Sequence, residues 1–294
     1  MLPGPSMGLI LDAKIICNKI PELDQLLGKR NIIIENTIES KAEDLIFVNL
    51  DWTKFKNLEK PNSPNTILCK TKQSYDILKS RFKNKKVIYT GFISIDRFKT
   101  GYNMDYNRFI HIYGKSPFKG TIKLIKTWID NPEFPLLTVK IYDGVYDEIQ
   151  KMIKNKTVSN IEINTKFITD DEVDILYNTY GIHLCPSNQE GWGHYIAEAK
   201  ACRAIVLYTD APSMNESFTD GYDGIAIRCS NKNNKLLNEI CPFYELEEKD
   251  IANAVRKVLR LSDDQKMDMG KNARNSFLEN DSQFAERLKK AIND

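Results

Sequence analysis

"GIHLCPSNQEGWGHYIAEAKACRAIVLYTD", residues 181–210, changes character three times in quick succession. "HLCPS" is an apolar run closed by Pro186 and Ser187. "NQEGWGH" is a polar, glycine-bearing turn. "YIAEAKACRA" is rich in small residues and reads as a helix, and "AIVLYTD" returns to a buried, β-branched strand. A strand, a tight turn, a small-residue helix and another strand make the repeating unit of a parallel sheet covered on both faces. The turn therefore sits at a strand's carboxyl end and a helix's amino end.

The same alternation runs outward in both directions. Strand-like runs recur at "AKIIC", "NIIIE", "DLIFVNL", "NTILC" and "KVIYTGF", and then at "RFIHIYG", "LLTVKIYDG" and "IEINTKF". Amphipathic segments separate them. In "KGTIKLIKTWID", Ile122, Ile125, Trp128 and Ile129 share one helical face, and in "DIANAVRKVLRL" so do Ile251, Ala254, Val255, Val258 and Leu259. Periodicity lapses at "ISIDRFKTGYNMDYN", which marks a boundary between two α/β units. The expectation is a leader at 1–8, a short first domain at 9–98, a second at 99–278, and a closing helix at 279–294 that returns to the first.

The chain has 294 residues, 41% apolar and 28% charged, enough to bury a sizeable core. Forty-two basic against forty acidic side chains leave a formal charge of +2, which argues against duplex nucleic acid as a partner. The run "KSRFKNKK" reads as a solvated face. No apolar run reaches the roughly 20 residues of a membrane helix, and no signal peptide is expected. "MLPGPSMG" reads as an appended leader rather than a folded element. Cysteines 17, 69, 185, 202, 229 and 241 form no C-x-x-C pair and read as reduced thiols, so a cytoplasmic setting is expected.

"YGKSPFKG", residues 113–120, resembles a phosphate loop but lacks the first glycine, since Phe109 holds that position. What remains is a strand, the glycine turn at Gly114, and Lys115 and Lys119 before a helix. Those lysines either grip a diphosphate as point charges or face solvent. In the 181–210 segment, Gly191 and Gly193 let backbone approach a ligand, and the helix start offers unpaired N–H groups to anionic oxygens. Glu190 lies in the turn. Glu198 lies about five residues past Gly193, roughly 7 Å along the helix axis at about 1.5 Å per residue. A sugar nucleotide fits that span, with sugar at Glu190, diphosphate beside Trp192, Gly193, His194 and Tyr195, and ribose at Glu198, both acids accepting from vicinal hydroxyls. Glu198 could equally be a structural carboxylate, and His183 a satisfied core histidine. "TDDEVD" reads as a helix cap, not an Asp-x-Asp metal motif, so neither metal nor cofactor is expected.

Pro186, Ser187, Glu190, Gly191, Gly193, Glu198 and Ala199 follow P-S-x-x-E-G-x-G-x-x-x-x-E-A, and this resembles the retaining GT-B glycosyltransferases of glycosyltransferase family 4. "YGKSPFKG" is similar to that family's donor-phosphate motif, with Lys115 in place of its arginine. "FITDDEVDILYNTYGIHLCPS", containing Ile168, resembles the stretch whose backbone lines the base pocket. "TGFISIDRF" resembles the hinge. "AIVLYTDAPSMNE" resembles the strand and loop closing the sugar site with Asn215 and Glu216. The resemblance implies two Rossmann-like domains and transfer of a sugar from a nucleotide-diphosphate-sugar to an unknown acceptor (glycan, protein or small molecule) with retention. Lys115, Lys119 and Glu190 would carry the chemistry. The first domain departs from the family. It is short, lacks the glycine-rich loop after the first strand, and has no histidine before His111. Two alternatives follow: a sugar-nucleotide epimerase of the same fold, or a non-catalytic nucleotide-sugar-binding module. A phosphorylase would need a pyridoxal-binding lysine that the sequence does not offer.

Overall fold

This computed structural model describes residues 7–35, 41–50, 53–113, 116–141, 145–154, 158–230, 236 and 240–294. Two compact units divide the chain. The first is Met1–Ile95 with Leu237–Cys241 and Glu279–Asp294, and the second is Asp96–Leu236 with Pro242–Leu278.

In the first unit, α1 (Met7–Lys19) and α2 (Leu23–Leu27) precede β1 (Ile32–Ile34), β2 (Leu45–Val48), β3 (Thr66–Cys69), α3 (Lys72–Arg81) and β4 (Lys86–Tyr89). "AKIIC" is thus helical, not a strand, and α1 takes in the last two residues of the expected leader. The reason is spacing. Asp12, Ile16 and Ile20 stand four apart and are all buried, a helical stripe rather than an alternating one. The four strands pair in order, all parallel, in register from Ile32–Leu45 to Cys69–Tyr89. One face buries Ile46, Val48, Ile67, Cys69, Leu78 and Phe82. Phe47, Phe92 and Phe284 meet edge to face, with centroids 5.5 and 5.0 Å apart.

The second unit comprises β5 (Asp105–Tyr113), α4 (Thr121–Ile129), β6 (Leu137–Ile141), α5 (Tyr146–Ile153), β7 (Ile161–Asn164), α6 (Asp170–Thr179), β8 (Tyr180–Cys185), α7 (His194–Ala201), β9 (Ile205–Thr209) and β10 (Ile225–Ile227). A short antiparallel pair, β11 (Cys229–Ser230) and β12 (Glu245–Leu246), and helix α8 (Glu248–Leu259) follow. Helix α9 (Asp263–Asn293) closes the chain; its residues from Glu279 onward belong to the first unit. In α4 the buried apolar face is Leu124, Ile125 and Trp128, with Ile122 and Ile129 at its margin, and in α8 Leu259 is exposed where burial was expected.

The main sheet runs β10-β9-β8-β5-β6-β7, every pair parallel. Within this sheet the path starts at β5, winds outward through β6 and β7, then returns to β8 on β5's other side and winds away. The order reverses between β5 and β8. In doubly wound sheets that reversal opens a crevice at the strands' carboxyl ends. No helix among the described residues is long and apolar enough to cross a membrane.

Candidate active site

Two turns meet at the reversal point. One, ending at Gly120, leads from β5 into α4; the other, Pro186–Gly193, leads from β8 into α7. Gly120 has φ +67, and a Cβ there would lie 2.0 Å from the Pro186 carbonyl oxygen, so the turns touch through bare backbone. The Asn188 amide donates to the Phe118 carbonyl at 2.7 Å and locks them together. Gly193, at φ +87, occupies the position preceding α7, and no side chain caps that helix start. Gly191 does not share this left-handed conformation. His194 opens the helix.

This contact brings three expected residues together. The Lys119 ammonium donates to Glu190 Oε1 at 2.6 Å and lies 3.7 Å from the centre of the Tyr195 ring. Ser187 Oγ donates to the same Glu190 oxygen at 2.6 Å. Its only proton is thereby used, so the Tyr195 hydroxyl, also 2.6 Å away, donates to Ser187. Ser213 Oγ holds the Glu190 carbonyl oxygen at 2.5 Å, and Thr209 Oγ1 holds that of Ser187 at 2.6 Å. Gly114 and Lys115 lie outside the described residues. Trp192 in the same turn and His194 at the start of α7 are half-buried.

Beneath the turns, buried His111 braces the start of α4. Its Nδ1 donates to the Leu184 carbonyl at 2.8 Å, and Nε2 accepts from Thr121 Oγ1 at 2.8 Å. Burial drives its pKa down to about 4, so the ring stays neutral.

Glu198 has other neighbours. Its carboxylate is buried, with Oε2 3.4 Å from Arg97 Nε, close enough for an ion pair though Nε makes no hydrogen bond. Arg97 Nη1 donates to Asp174 at 2.7 Å. Burial alone would lower the guanidinium's pKa; Glu198 and Asp174 outweigh it and keep Arg97 charged. The Tyr177 phenol is pushed well above its usual range by burial and by the charge of Glu198. His183 stacks on Tyr177 with ring centres 5.1 Å apart, but its Nε2 has no hydrogen-bond partner, so the core histidine is only partly satisfied. Its pKa falls to about 3 through burial.

At the sheet's other side, Thr169 caps α6 with Glu172 in a capping box, as the cap reading of "TDDEVD" required. Ile168 is half-buried beside Phe167, which is 84% exposed. Buried Lys140 donates to the carbonyls of Asn164 and Lys166 and ties this loop to β6. Beyond β9, Asn215 Nδ2 donates to Asp210 at 3.0 Å, and the Glu216 amide lies 3.4 Å from the Ser213 carbonyl. Arg97, Asp174, Tyr177, Lys140 and Ser213 were not anticipated as site residues, although all but Lys140 stand inside the family-like motifs quoted above. Among the described residues no cluster of three or more His, Cys, Asp or Glu side chains is arranged for a metal ion.

The reversal point, two glycine-capped helices and a Lys–Glu pair at their meeting define a doubly wound α/β unit with its candidate site at the strands' carboxyl ends. Residues 92–276, well over half the chain, match the family model Glycosyl transferases group 1, and the chain belongs to that family. A search of curated protein sequences found no match. Among solved structures, TarM is similar at a TM-score of 0.68 and 16% identity, over 94% of this chain and 58% of that one. The pneumococcal O-GlcNAc transferase GtfA, in complex with UDP and GlcNAc, scores 0.65 at 15% identity, over 95% of this chain and 60% of that one. Anabaena HepE, in complex with UDP and glucose, scores 0.62 at 17% identity, over 84% and 71%. The fold is that of the GT-B glycosyltransferases, and the chain spans 58% and 60% of the length of TarM and GtfA.

Proposed function

We propose that this chain transfers a sugar from a uridine-diphosphate-sugar donor to an acceptor hydroxyl with retention of configuration, in the manner of glycosyltransferase family 4. The observation that carries the reading is the Lys119–Glu190 pair, seated where both helices begin. The UDP in the GtfA and HepE complexes supports the choice of base.

The diphosphate would lie across the amino end of α7, where the first N–H groups lack intrahelical partners. An ammonium has three donors and the bond to Glu190 uses one, so Lys119 can bridge carboxylate and phosphate; Lys115 would add a second positive charge. As the bond from sugar C1 to the diphosphate oxygen breaks, charge builds on the leaving group and the sugar gains oxocarbenium character. Lys119 and the helix start stabilise the first, and the carboxylate of Glu190 the second. Glu198 would accept from the ribose hydroxyls, its charge held by Arg97. No step requires a metal, and activity should survive chelators.

A non-catalytic sugar-nucleotide-binding module is the second reading, favoured by the four-stranded first unit. Calorimetric titration with UDP and a donor-hydrolysis assay decide between them. Binding with slow release of free UDP supports the enzyme, binding without hydrolysis or transfer supports the module, and no binding to any nucleoside diphosphate ends both.

A further inference from the structure

Lys200 lies two residues past Glu198 on α7 and is 1% exposed. Its ammonium pairs with Asp223 at 2.8 Å, donates to the Ser217 carbonyl, and stands 4.2 Å from the centre of the Phe218 ring. Asp223 is buried too. It accepts from Ser276 Oγ at 2.6 Å and from the Thr219 amide at 2.7 Å, while its own amide donates to the Thr219 carbonyl at 3.2 Å. Phe218 stacks on Tyr208 of β9 with centres 4.2 Å apart. A Cβ on Gly224 would come within 2.7 Å of that phenyl ring, so the segment has no slack there. The far half of the 213–223 loop is therefore gathered around one cation that enters from α7.

The near half of the loop is pinned at Ser213, whose hydroxyl holds the Glu190 carbonyl at 2.5 Å. Two of the loop's attachments lead back to the Glu190 turn, Ser213 directly and Ser217–Asp223 through the helix that begins there, while Lys257 on Asp220 at 2.9 Å and Asn272 on the Tyr222 carbonyl at 3.2 Å hold its outer end. A buried ion pair contributes little net stability compared with apolar side chains of the same volume, because desolvating both charges offsets their attraction. What such a pair supplies is a fixed geometry, and here the geometry ends at Glu190.

We propose that Lys200 is a positioning residue for the reacting end of the donor site: by holding the 213–223 loop it sets, through Ser213, the orientation of the Glu190 turn. The inference rests on the donor-site reading above. Lys200 touches neither donor nor acceptor, and it acts on the sugar end of the site rather than on nucleotide binding.

The test compares Lys200→Met, and Lys200→Met combined with Asp223→Asn so that no buried charge is left alone, with wild type and with Ser213→Ala. UDP affinity is measured by calorimetry and donor turnover by UDP release. The expected result is UDP affinity within about two-fold of wild type and kcat lowered by about ten-fold or more in the double variant, a loss of transition-state stabilisation without loss of ground-state binding. In the Ser213→Ala background the charge-removing pair should lower kcat much less, because both act through one contact. Equal losses of UDP affinity and turnover, additive effects of the two lesions, or unchanged turnover would each overturn the proposal. An unfolded double variant would assign the pair to folding and overturn it as well. If wild-type protein binds no UDP, the donor-site reading itself falls, and this inference with it.

Discussion

Glu190 and Glu198 are both glutamates on the same strand–turn–helix segment, yet their surroundings differ. Glu190 meets a lysine and a serine, with 11% and 13% side-chain exposure for the ion pair; Glu198 is sunk beside Arg97 and Tyr177. If the proposed donor placement holds, Glu190→Gln should lower kcat while UDP still binds, since only the charge at the proposed sugar end is lost. Glu198→Gln should weaken UDP by about ten-fold and lower stability by about 1–3 kcal/mol, because a charge-assisted partner is withdrawn from both ribose and Arg97. Titration calorimetry and urea melts read the two effects separately; a stability loss with unchanged UDP affinity would make Glu198 structural. Lys119→Met should abolish UDP binding and destabilise by about 3 kcal/mol, as breaking a buried pair leaves a lone carboxylate. Adding Glu190→Gln should restore most of the stability and none of the binding. The motif spacing marked both acids, and it carried no information on which cation each meets. Arg97 stands in the quoted hinge segment, but its pairing with Glu198 is a tertiary contact that no local spacing encodes.

At the scale of elements, the proposed donor side depends on two turns touching through backbone. Gly120 is left-handed and faces the Pro186 carbonyl at a distance no Cβ tolerates. Gly120→Ala should therefore cost about 2–4 kcal/mol, combining left-handed strain with a clash that moves one turn off the other. UDP affinity should fall with it, because Lys119 is the next residue; a urea melt within error of wild type would exclude the contact. The elements themselves were largely legible. Long β-branched runs such as "FIHIY" and "AIVLYT" gave strands in the places expected, since buried parallel strands need no alternation. "AKIIC" misled because the three consecutive apolar or small residues Ile15, Ile16 and Cys17 cannot distinguish a strand from one turn of a buried helix. The evidence against a strand was Asp12, whose partner Lys70 is remote in sequence. β10 went unread because three residues carry too little pattern.

For the molecule as a whole, burial of neutral histidines makes acid stability the most direct check on the second unit. His111 and His183 are both inside its sheet, with pKa values pushed down to about 4 and about 3 by desolvation. In the unfolded chain each titrates near 6.5. Above about pH 7 neither state binds these protons and they contribute no slope. As pH falls below about 6.5, the unfolded state takes up two protons that the native state refuses, so stability must decline with falling pH, by up to about 1.4 kcal/mol per pH unit for each ring. The slope halves once His111 protonates in the native state near pH 4 and ends near pH 3. Carboxylates with lowered pKa, such as Asp220, act in a separate window: their stabilisation is complete above about pH 4 and is lost only below it. Urea midpoints followed by tryptophan fluorescence at pH 7.5 and 5.5 isolate the histidine window. Stability should be lower at pH 5.5 by up to about 2.7 kcal/mol, and His111→Asn or His183→Asn should each remove about half of the difference. Equal stability at the two pH values would mean that the rings are charged or solvated in the folded protein, and that His111 cannot brace α4 beneath Lys119 in the way its two hydrogen bonds require.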